Sequence, residues 1–293
     1  LTATEEYSRV ISYLNRAVAL APDRLDIHNS LAAALTAVGS VDEAIVHLNR
    51  AIELSGDSQP EFHYNLGHAY GAKSDLENAA VSFRSALAAN PSSVKYRLWL
   101  AMTLLDKGEP VEAKAEFEKV LAVEPENVDA RARLGVILLG EDRLDDAIAQ
   151  FRRALAASPG YPPAIDNMAK ALVKKRAFAE AAAVLREGMK LQPTNEIARA
   201  LAWLLATCPA AEVRNGREAI QLAESLDRIT NYSSPETMDT LGAAYAESAF
   251  YMTAAKAAER ALSRATALGN TDLAAAIQKR LELYRAGRAY HEE

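Results

Sequence analysis

Residues 60–93 decide the fold, and they read PEFHYNLGHAYGAKSDLENAAVSFRSALAANPSS. At helical spacing, Leu66 and Gly67 fall on one face of a first helix, and Ala79 and Phe83 fall on one face of a second. A short polar break separates the two helices, and a proline closes the unit because it cannot continue a helix. The stretch therefore predicts a helical hairpin in which small residues let the helices approach each other.

The same pattern recurs along the chain at a nearly constant step. The position of the leucine is occupied by Leu31, Leu66, Leu100, Leu134 and Met168, at steps of 35, 34, 34 and 34 residues. The small residue of the second helix recurs as Ala44, Ala79, Ala113, Ala147 and Ala181, and Leu or Phe follows four residues later. A fixed period of this length indicates a repeat protein, in which each hairpin buries its apolar face on the next.

A period of 34 residues with this pattern resembles the tetratricopeptide repeat (TPR) family. The resemblance implies an all-α fold, a right-handed α-solenoid or superhelix of stacked antiparallel helix pairs with a C-terminal capping helix. We expect residues 1–293 to form a single solenoid of this kind. Five clear repeats are predicted at 25–58, 60–93, 94–127, 128–161 and 162–195, and two divergent ones at 196–230 and 235–268.

The two ends of the chain depart from the repeat. Residues 5–22 match the second helix of a repeat that lacks its first helix, which favours further repeats before residue 1. Residues 271–286 are predicted to form an amphipathic capping helix. The segment from Gly287 onwards is predicted to be loose.

Residues 201–293 carry a second resemblance, in the phrases LAWLLATCP, RNG, TLGAAYAE and RLELYRAGRAYHE. These phrases look like a terminal module found in many bacterial TPR proteins. Some proteins that end in this way resemble membrane-embedded sugar transferases that carry the repeats as an appendage. The resemblance implies a bacterial source and leaves the compartment open between the cytoplasm and a periplasmic or membrane-tethered setting.

Composition argues against several classes of partner. The net charge is −6, from 33 basic and 39 acidic residues, which argues against a nucleic-acid-binding protein. The longest apolar run, at residues 200–206, is far too short to insert into a membrane. The single cysteine, Cys208, cannot form an internal disulfide.

The sequence contains no recognisable set of catalytic or cofactor-binding residues. It has no glycine-rich phosphate loop with its lysine. His63 and His68 are five residues apart, so they do not stack on one face of a helix as metal ligands would. Cys208 has no obvious base beside it. We therefore expect no catalytic residue, no metal site and no cofactor, and we predict that the protein is not an enzyme.

In the TPR fold the first helices line a concave groove, and the resemblance places the residues that flank each recurring leucine on its wall. The partner-binding groove is predicted to comprise Tyr64, Asn65, His68, Lys95, Leu98, Met102, Asp129, Val136, Asn167, Lys170, Lys174, Arg199 and Trp203. Aromatic rings and methionine beside charged groups suit the capture of a peptide. The alternative interpretation is that Trp203 and Met102 simply pack between neighbouring first helices.

TPR domains that grip a C-terminal carboxylate use lysine, asparagine and arginine at set groove positions. Here Asn65 and Lys95 match two of those positions. Asn29, Ala33 and Trp99 stand where lysine, asparagine and arginine would be needed. The sequence therefore does not predict a carboxylate clamp of that kind.

These observations predict a non-enzymatic protein–protein interaction scaffold that binds a peptide or helix of a partner protein in the concave groove. One alternative is an accessory domain of a larger membrane-associated enzyme of the sugar-transferase kind, which the sequence upstream of Leu1 would reveal. A second alternative is a self-assembling structural or filament subunit that associates through its N-terminal helix. The identity of a protein or peptide partner cannot be read from the residues.

Overall fold

A computed structural model describes residues 3–56 and 58–292, and within these ranges the regular secondary structure is all α-helix. The helices are α1 (Ala3–Leu20), α2 (Leu25–Ala37), α3 (Val41–Ser55), α4 (Pro60–Ala72), α5 (Leu76–Ala89), α6 (Val94–Asp106), α7 (Pro110–Val123), α8 (Val128–Gly140), α9 (Leu144–Ala157), α10 (Pro162–Lys174), α11 (Phe178–Leu191), α12 (Asn195–Thr207), α13 (Gly216–Ile229), α14 (Pro235–Glu247), α15 (Tyr251–Ala267) and α16 (Thr271–Arg285).

The chain divides into two compact units, residues 1–134 and residues 135–293, with the boundary inside α8. In unit 1 each helix from α1 to α7 packs on the next helix in the sequence, and α2 also contacts α4. In unit 2 the helices from α9 to α16 pack in the same way, and α10, α12, α14 and α16 contact one another in turn. Each unit is a series of helix pairs whose first helices lie side by side. The predicted all-α architecture of stacked helix pairs is confirmed.

The recurring apolar residues form the core of each unit. On the second helices, Leu48, Phe83, Phe117, Phe151 and Leu185 are 0–2% exposed. A Cβ placed on Gly67 would lie 2.6 Å from Cε1 of Phe83, so the glycine makes room for the ring within its own hairpin. The ring also reaches the following helix pair, because its centroid lies 6.2 Å from that of Trp99.

The turn inside each hairpin repeats as faithfully as the helices do. One residue of the turn adopts a left-handed backbone, and it recurs as Gly39, Ser74, Gly108, Asp142 and Arg176. Its φ angle lies between 60° and 86° at all five positions. The same conformation returns at Ala249 in the last hairpin, with φ of 62°. The turn geometry therefore follows the repeat even where the residue is not the glycine that best tolerates it.

Ion pairs link one hairpin to the next along the exposed edges. The pairs are Lys73–Asp42, Lys107–Glu77, Arg84–Glu112, Lys175–Asp145, Arg152–Glu180 and Arg186–Glu218. Most of these side chains are substantially exposed, so each pair contributes roughly 0–1 kcal/mol to stability. We infer that they favour the register between hairpins more than they stabilise the fold.

The end of unit 2 differs from the prediction. Helix α16 buries Ile277, Leu281 and Tyr284, as an end helix should. The residues that follow it, 288–292, were expected to be loose, and this expectation was wrong. They contact α12 instead: the Tyr290 ring lies near that of Trp203, and the backbone N–H of Glu292 donates a hydrogen bond to the Thr207 carbonyl.

Candidate functional site

The first helices of unit 1 carry a cluster of side chains that we call the unit-1 wall. It consists of the aromatic rings of Tyr64 and His68 on α4 and Trp99 on α6, together with Lys95 on α6. The His68 ring packs edge-on against Trp99, with centroids 4.2 Å apart, and against Tyr64 at 4.5 Å. All three rings are partly exposed. Residues one turn apart on α4 thus meet a residue of the next first helix because the helices lie side by side.

Charge in the unit-1 wall is arranged around Glu61. Its carboxylate accepts a hydrogen bond of 2.6 Å from the Tyr96 hydroxyl and one of 3.0 Å from Lys95 Nζ. These bonds, the one from Tyr96 first, lower the pKa of Glu61, while burial and the same bond raise the pKa of Tyr96 to about 12. Lys95 Nζ also lies 3.8 Å from the centre of the Tyr64 ring, a cation–π contact.

Burial lowers the pKa of His68, and the charge of Lys95 adds to the effect. A neutral imidazole has one nitrogen that donates a hydrogen bond and one that accepts. At neutral pH the ring therefore has one donor and one acceptor nitrogen. Its position among aromatic neighbours also gives it an apolar face.

The other residues predicted for the groove in unit 1 are distributed over three helices. Asn65 donates a hydrogen bond of 2.7 Å to Asn29, so it links α4 to α2. Leu98 and Met102 are partly buried on α6, and Asp129 is exposed in the first turn of α8.

Trp99 was missed as a wall residue, since we compared it only with the arginine of a carboxylate clamp. Its large ring next to the predicted position Leu98 was a usable signal. In the structure its ring lies between those of His68 and Phe83, at centroid distances of 4.2 and 6.2 Å. The aromatic cluster is therefore larger than the sequence predicted.

The first helices of unit 2 bring four predicted residues together. Lys170 and Lys174 on α10 and Arg199 and Trp203 on α12 line one cavity of about 330 Å³, which we call the unit-2 wall cavity. Apolar side chains and the carboxylates of Asp166 and Glu292 complete its lining. Two other predicted residues do not line it: Val136 lies on α8, and Asn167 donates a hydrogen bond to a carbonyl of its own helix.

Trp203 does not merely pack between first helices, as the alternative interpretation held. Its indole Nε1 donates a hydrogen bond of 2.6 Å to the carboxylate of Glu292. Its ring lies 6.3 Å from that of Tyr290 and 5.2 Å from the guanidinium of Arg280. The residue therefore binds a segment of its own chain. No local pattern in the sequence pointed to these partners, because they lie some 80–90 residues away.

A metal site, a membrane-spanning helix and a reactive thiol would each be visible in the described residues. Among them, no group of three or more histidine, cysteine or carboxylate side chains is placed to hold a metal ion. No helix in the described part of the chain is both long and apolar enough to cross a membrane. Cys208 is fully buried, and burial raises the pKa of its thiol.

Helix pairs repeated at a constant step, with exposed aromatic and charged groups on the first helices, define a helical repeat protein. The chain belongs to the tetratricopeptide repeat family. Three models of that family match it, at residues 34–74, at 64–113 and 100–162, and at 138–204. No curated protein gives a significant match.

Solved structures with the same fold come from several TPR proteins. Yeast Tom70 has a TM-score of 0.65 at 17% identity, covering 95% of this chain and 60% of that one. Pseudomonas aeruginosa pilF has a TM-score of 0.60 at 19% identity, covering 73% and 94%. YrrB, a TPR protein with an unusual peptide-binding site, has a TM-score of 0.51 at 22% identity, covering 63% and 94%. At these identities the likeness shows the fold alone.

Proposed function

We propose that this chain is a non-enzymatic scaffold that binds an extended or helical segment of a partner protein on the walls formed by its first helices. A role as a protein-interaction scaffold is what the TPR fold supports. The specific proposal is that the predicted groove residues make the contacts. The observation that carries it is the partly exposed cluster of Tyr64, His68 and Trp99 in unit 1.

This cluster has the properties of an interaction hot spot. Aromatic side chains bring large contact areas at low cost in conformational entropy, and they dominate the binding energy of many interfaces. The rings are already fixed against one another and against Phe83, so little ordering remains to be done on binding. The Lys95–Glu61 pair at the edge supplies both signs of charge for the polar part of a peptide.

The test is a selection of peptides from a random displayed library on the immobilised chain, followed by measurement of dissociation constants. We expect His68→Ala combined with Met102→Ala to weaken the selected peptides at least tenfold, a loss of about 1.4 kcal/mol. Circular dichroism and the thermal midpoint establish that the variant is folded.

The matched control removes exposed apolar side chains from second helices. Val81 on α5 is 50% exposed and Val111 on α7 is 83% exposed, so Val81→Ala with Val111→Ala should leave peptide binding unchanged. If the selected peptides lose affinity on the control variant and keep it on the His68 and Met102 variant, the partner binds the second helices and our proposal is wrong.

A second function, self-association through α1, is favoured by a separate observation. Helix α1 packs on α2 through Ile11 and Leu14. The same helix leaves Tyr7, Val10 and Tyr13 exposed, at 42%, 45% and 63%. In the repeat register Val10 matches Ala79, which is 1% exposed within its hairpin. An exposed apolar row on a helix is suited to pairing with another copy of the chain.

Light scattering as a function of concentration tests this second proposal. We expect wild-type chains to form species larger than a monomer, and we expect Val10→Glu with Tyr13→Glu to prevent it. A wild-type chain that stays monomeric at high micromolar concentration would rule out this association.

A further inference from the structure

Residues 288–292, which we call the resident segment, lie on α12 as a bound peptide would. The backbone N–H of Glu292 donates a hydrogen bond of 2.8 Å to the Thr207 carbonyl, and its side chain accepts one of 2.6 Å from the indole of Trp203. The Tyr290 ring lies against the same indole, at a centroid distance of 6.3 Å. The contacts thus combine a main-chain hydrogen bond, an aromatic contact and a carboxylate held by a ring N–H.

The platform under the resident segment is held rigidly by other residues. Arg280 forms two hydrogen bonds with the carboxylate of Asp239, of 2.9 and 2.6 Å, and both side chains are buried. Its guanidinium lies 5.2 Å from the ring of Trp203 and 5.5 Å from that of Tyr290. A planar guanidinium fixed by a bidentate pair is a suitable stacking surface for an aromatic ring. This surface is arranged before any ligand arrives.

The resident segment leaves much of this wall unfilled. The unit-2 wall cavity of about 330 Å³ reaches Glu292 and is bordered by Lys170, Lys174 and Arg199. A second cavity of about 220 Å³ shares Arg199 and Trp203 with the first, and the carboxylates of Glu236 and Asp239 also line it. A longer segment could occupy this space in addition to the contacts that the resident segment makes.

The charge at the rim selects the kind of segment. Lys170 is paired with Asp166 and Lys174 with Asp142, but these are exposed pairs that can exchange partners at little cost. Arg199 lines both cavities. Apart from Glu292, the cavity is lined by three cations and one carboxylate, that of Asp166, besides apolar side chains. This excess of positive charge favours a ligand with acidic residues, and Glu292 already places one carboxylate in the cavity.

We infer that the wall of unit 2 around Trp203 is a binding site for an extended acidic peptide segment with an aromatic residue two positions before a glutamate. The resident segment of the chain itself is its displaceable occupant. A partner segment with the same pattern and further acidic residues competes for Trp203, because it keeps the contacts of the resident segment and adds contacts with Lys170, Lys174 and Arg199 in the unit-2 wall cavity. The inference deepens the proposed function and rests on it only in using the first helices as the binding wall.

The probe for this site is a fluorescein-labelled peptide with the sequence of residues 286–293, AGRAYHEE, amidated at its end. Its binding is measured by fluorescence anisotropy on the full chain. In a released variant, Tyr290→Ala with Glu292→Gln, the resident segment loses its aromatic ring and its carboxylate. We expect the probe to bind this variant at least tenfold more tightly than it binds the wild type.

Two further measurements identify the site. Adding Trp203→Leu to the released variant should abolish binding of the probe. A probe with glutamine in place of its first glutamate should bind at least tenfold more weakly, since the ring N–H then faces a neutral acceptor. An exposed pair of the same residue types serves as control: Tyr232→Ala with Glu118→Gln should leave the chain binding the probe as the wild type does.

Equal affinity for the wild type and the released variant would overturn the inference, and so would the absence of binding to both. Retention of binding after Trp203→Leu would place the probe elsewhere. If the wild type dimerises and the released variant does not, the resident segment binds a second copy of the chain. That result would also overturn the inference. Because Tyr64 and His68 are unchanged in every variant, failure here does not bear on the unit-1 wall, and failure there does not bear on Trp203.

Discussion

At the scale of single residues, the fold depends on where a side chain is absent. Gly67 and Gly71 both lie on α4, but only Gly67 faces a neighbouring ring. A methyl group on Gly67 would come within 2.6 Å of the buried Phe83, whereas a methyl group on Gly71 would meet nothing within 4 Å. Substituting each glycine by alanine therefore distinguishes the effect of packing from that of helix propensity.

We expect Gly67→Ala to lower the free energy of unfolding by roughly 1–3 kcal/mol, because Phe83 must leave its place in the core. Gly71→Ala should raise it by up to about 1 kcal/mol, because alanine is the better helix former. Urea denaturation measures both. Equal effects of the two substitutions would show that the contact with Phe83 has no energetic importance.

The left-handed turn position gives a second pair of opposite substitutions. Ala249 is strained at a φ of 62°, which glycine adopts without strain. Ala249→Gly should therefore raise the free energy of unfolding by about 0.5–1 kcal/mol. Gly108 has a φ of 86° and no atom within 4 Å of a Cβ, so Gly108→Ala should lower it by about 1 kcal/mol. Thermal denaturation distinguishes these signs, and a gain from Gly108→Ala would contradict the backbone argument.

Asp227 is a buried carboxylate on α13 whose Oδ1 has no hydrogen-bond partner. Burial raises its pKa above the ordinary value, and Arg260 at 3.8 Å opposes this only in part. A carboxylate with a raised pKa costs stability once it is ionised, so the cost grows as pH rises above about 4. Asp227→Asn should therefore gain about 1 kcal/mol over the wild type at pH 7 and little at pH 3.5, measured by urea denaturation. An equal difference at both pH values would contradict this.

At the scale of the helices, the sequence was sufficient to predict the helices of the repeated hairpins. The hairpin predicted over residues 60–93 is formed by α4 and α5, with helices that end at the polar break. Period and apolar spacing are local properties, so they can be read without knowing the packing. The position of Trp99 against His68 depends on side-chain conformations in two different repeats, and it could not be read in this way.

The position of residues 288–292 on α12 is a clearer case of a contact that local sequence could not predict. Trp203 and Glu292 are separated by 89 positions, and neither belongs to the repeated pattern. Their contact depends on how α16 returns the chain to α12, which is a property of packing. Sequence reasoning selected Trp203 as a wall residue, but it could not identify what the residue binds.

The first hairpin contains a histidine pair that makes its stability depend on pH. The Nδ1 atoms of His28 on α2 and His47 on α3 are 3.0 Å apart, so one ring must donate and the other accept. Burial, and then the nearby His28, lower the pKa of His47. The folded hairpin therefore prefers the neutral ring, and its stability is complete above about pH 6.5 and falls as the solution is acidified.

We expect the urea midpoint of the wild type to fall between pH 7.5 and pH 5, and we expect His47→Asn to reduce that fall, because asparagine keeps a polar partner without a titrating group. His63→Asn, on the next hairpin, is the control and should retain the wild-type dependence. An unchanged fall in the His47 variant would mean that the acid sensitivity arises elsewhere.

At the scale of the molecule, each unit is a series in which a helix pair contacts mainly its neighbours. Stability in such a series is approximately a sum of local terms, so the fold can keep its core while the first helices vary. The two walls illustrate this freedom. The unit-1 wall carries an aromatic cluster, and the wall around Trp203 combines basic side chains with a segment of the chain itself.

The central claim is that partners bind the first helices, and hydrogen–deuterium exchange with a library-selected peptide tests it most directly. Amide exchange would be followed by mass spectrometry on the full chain, with and without the peptide at saturation. We predict that protection appears on first helices, led by α4 and α6, and that the second helices α5 and α7 exchange as before. Protection confined to α5 and α7 would contradict the account.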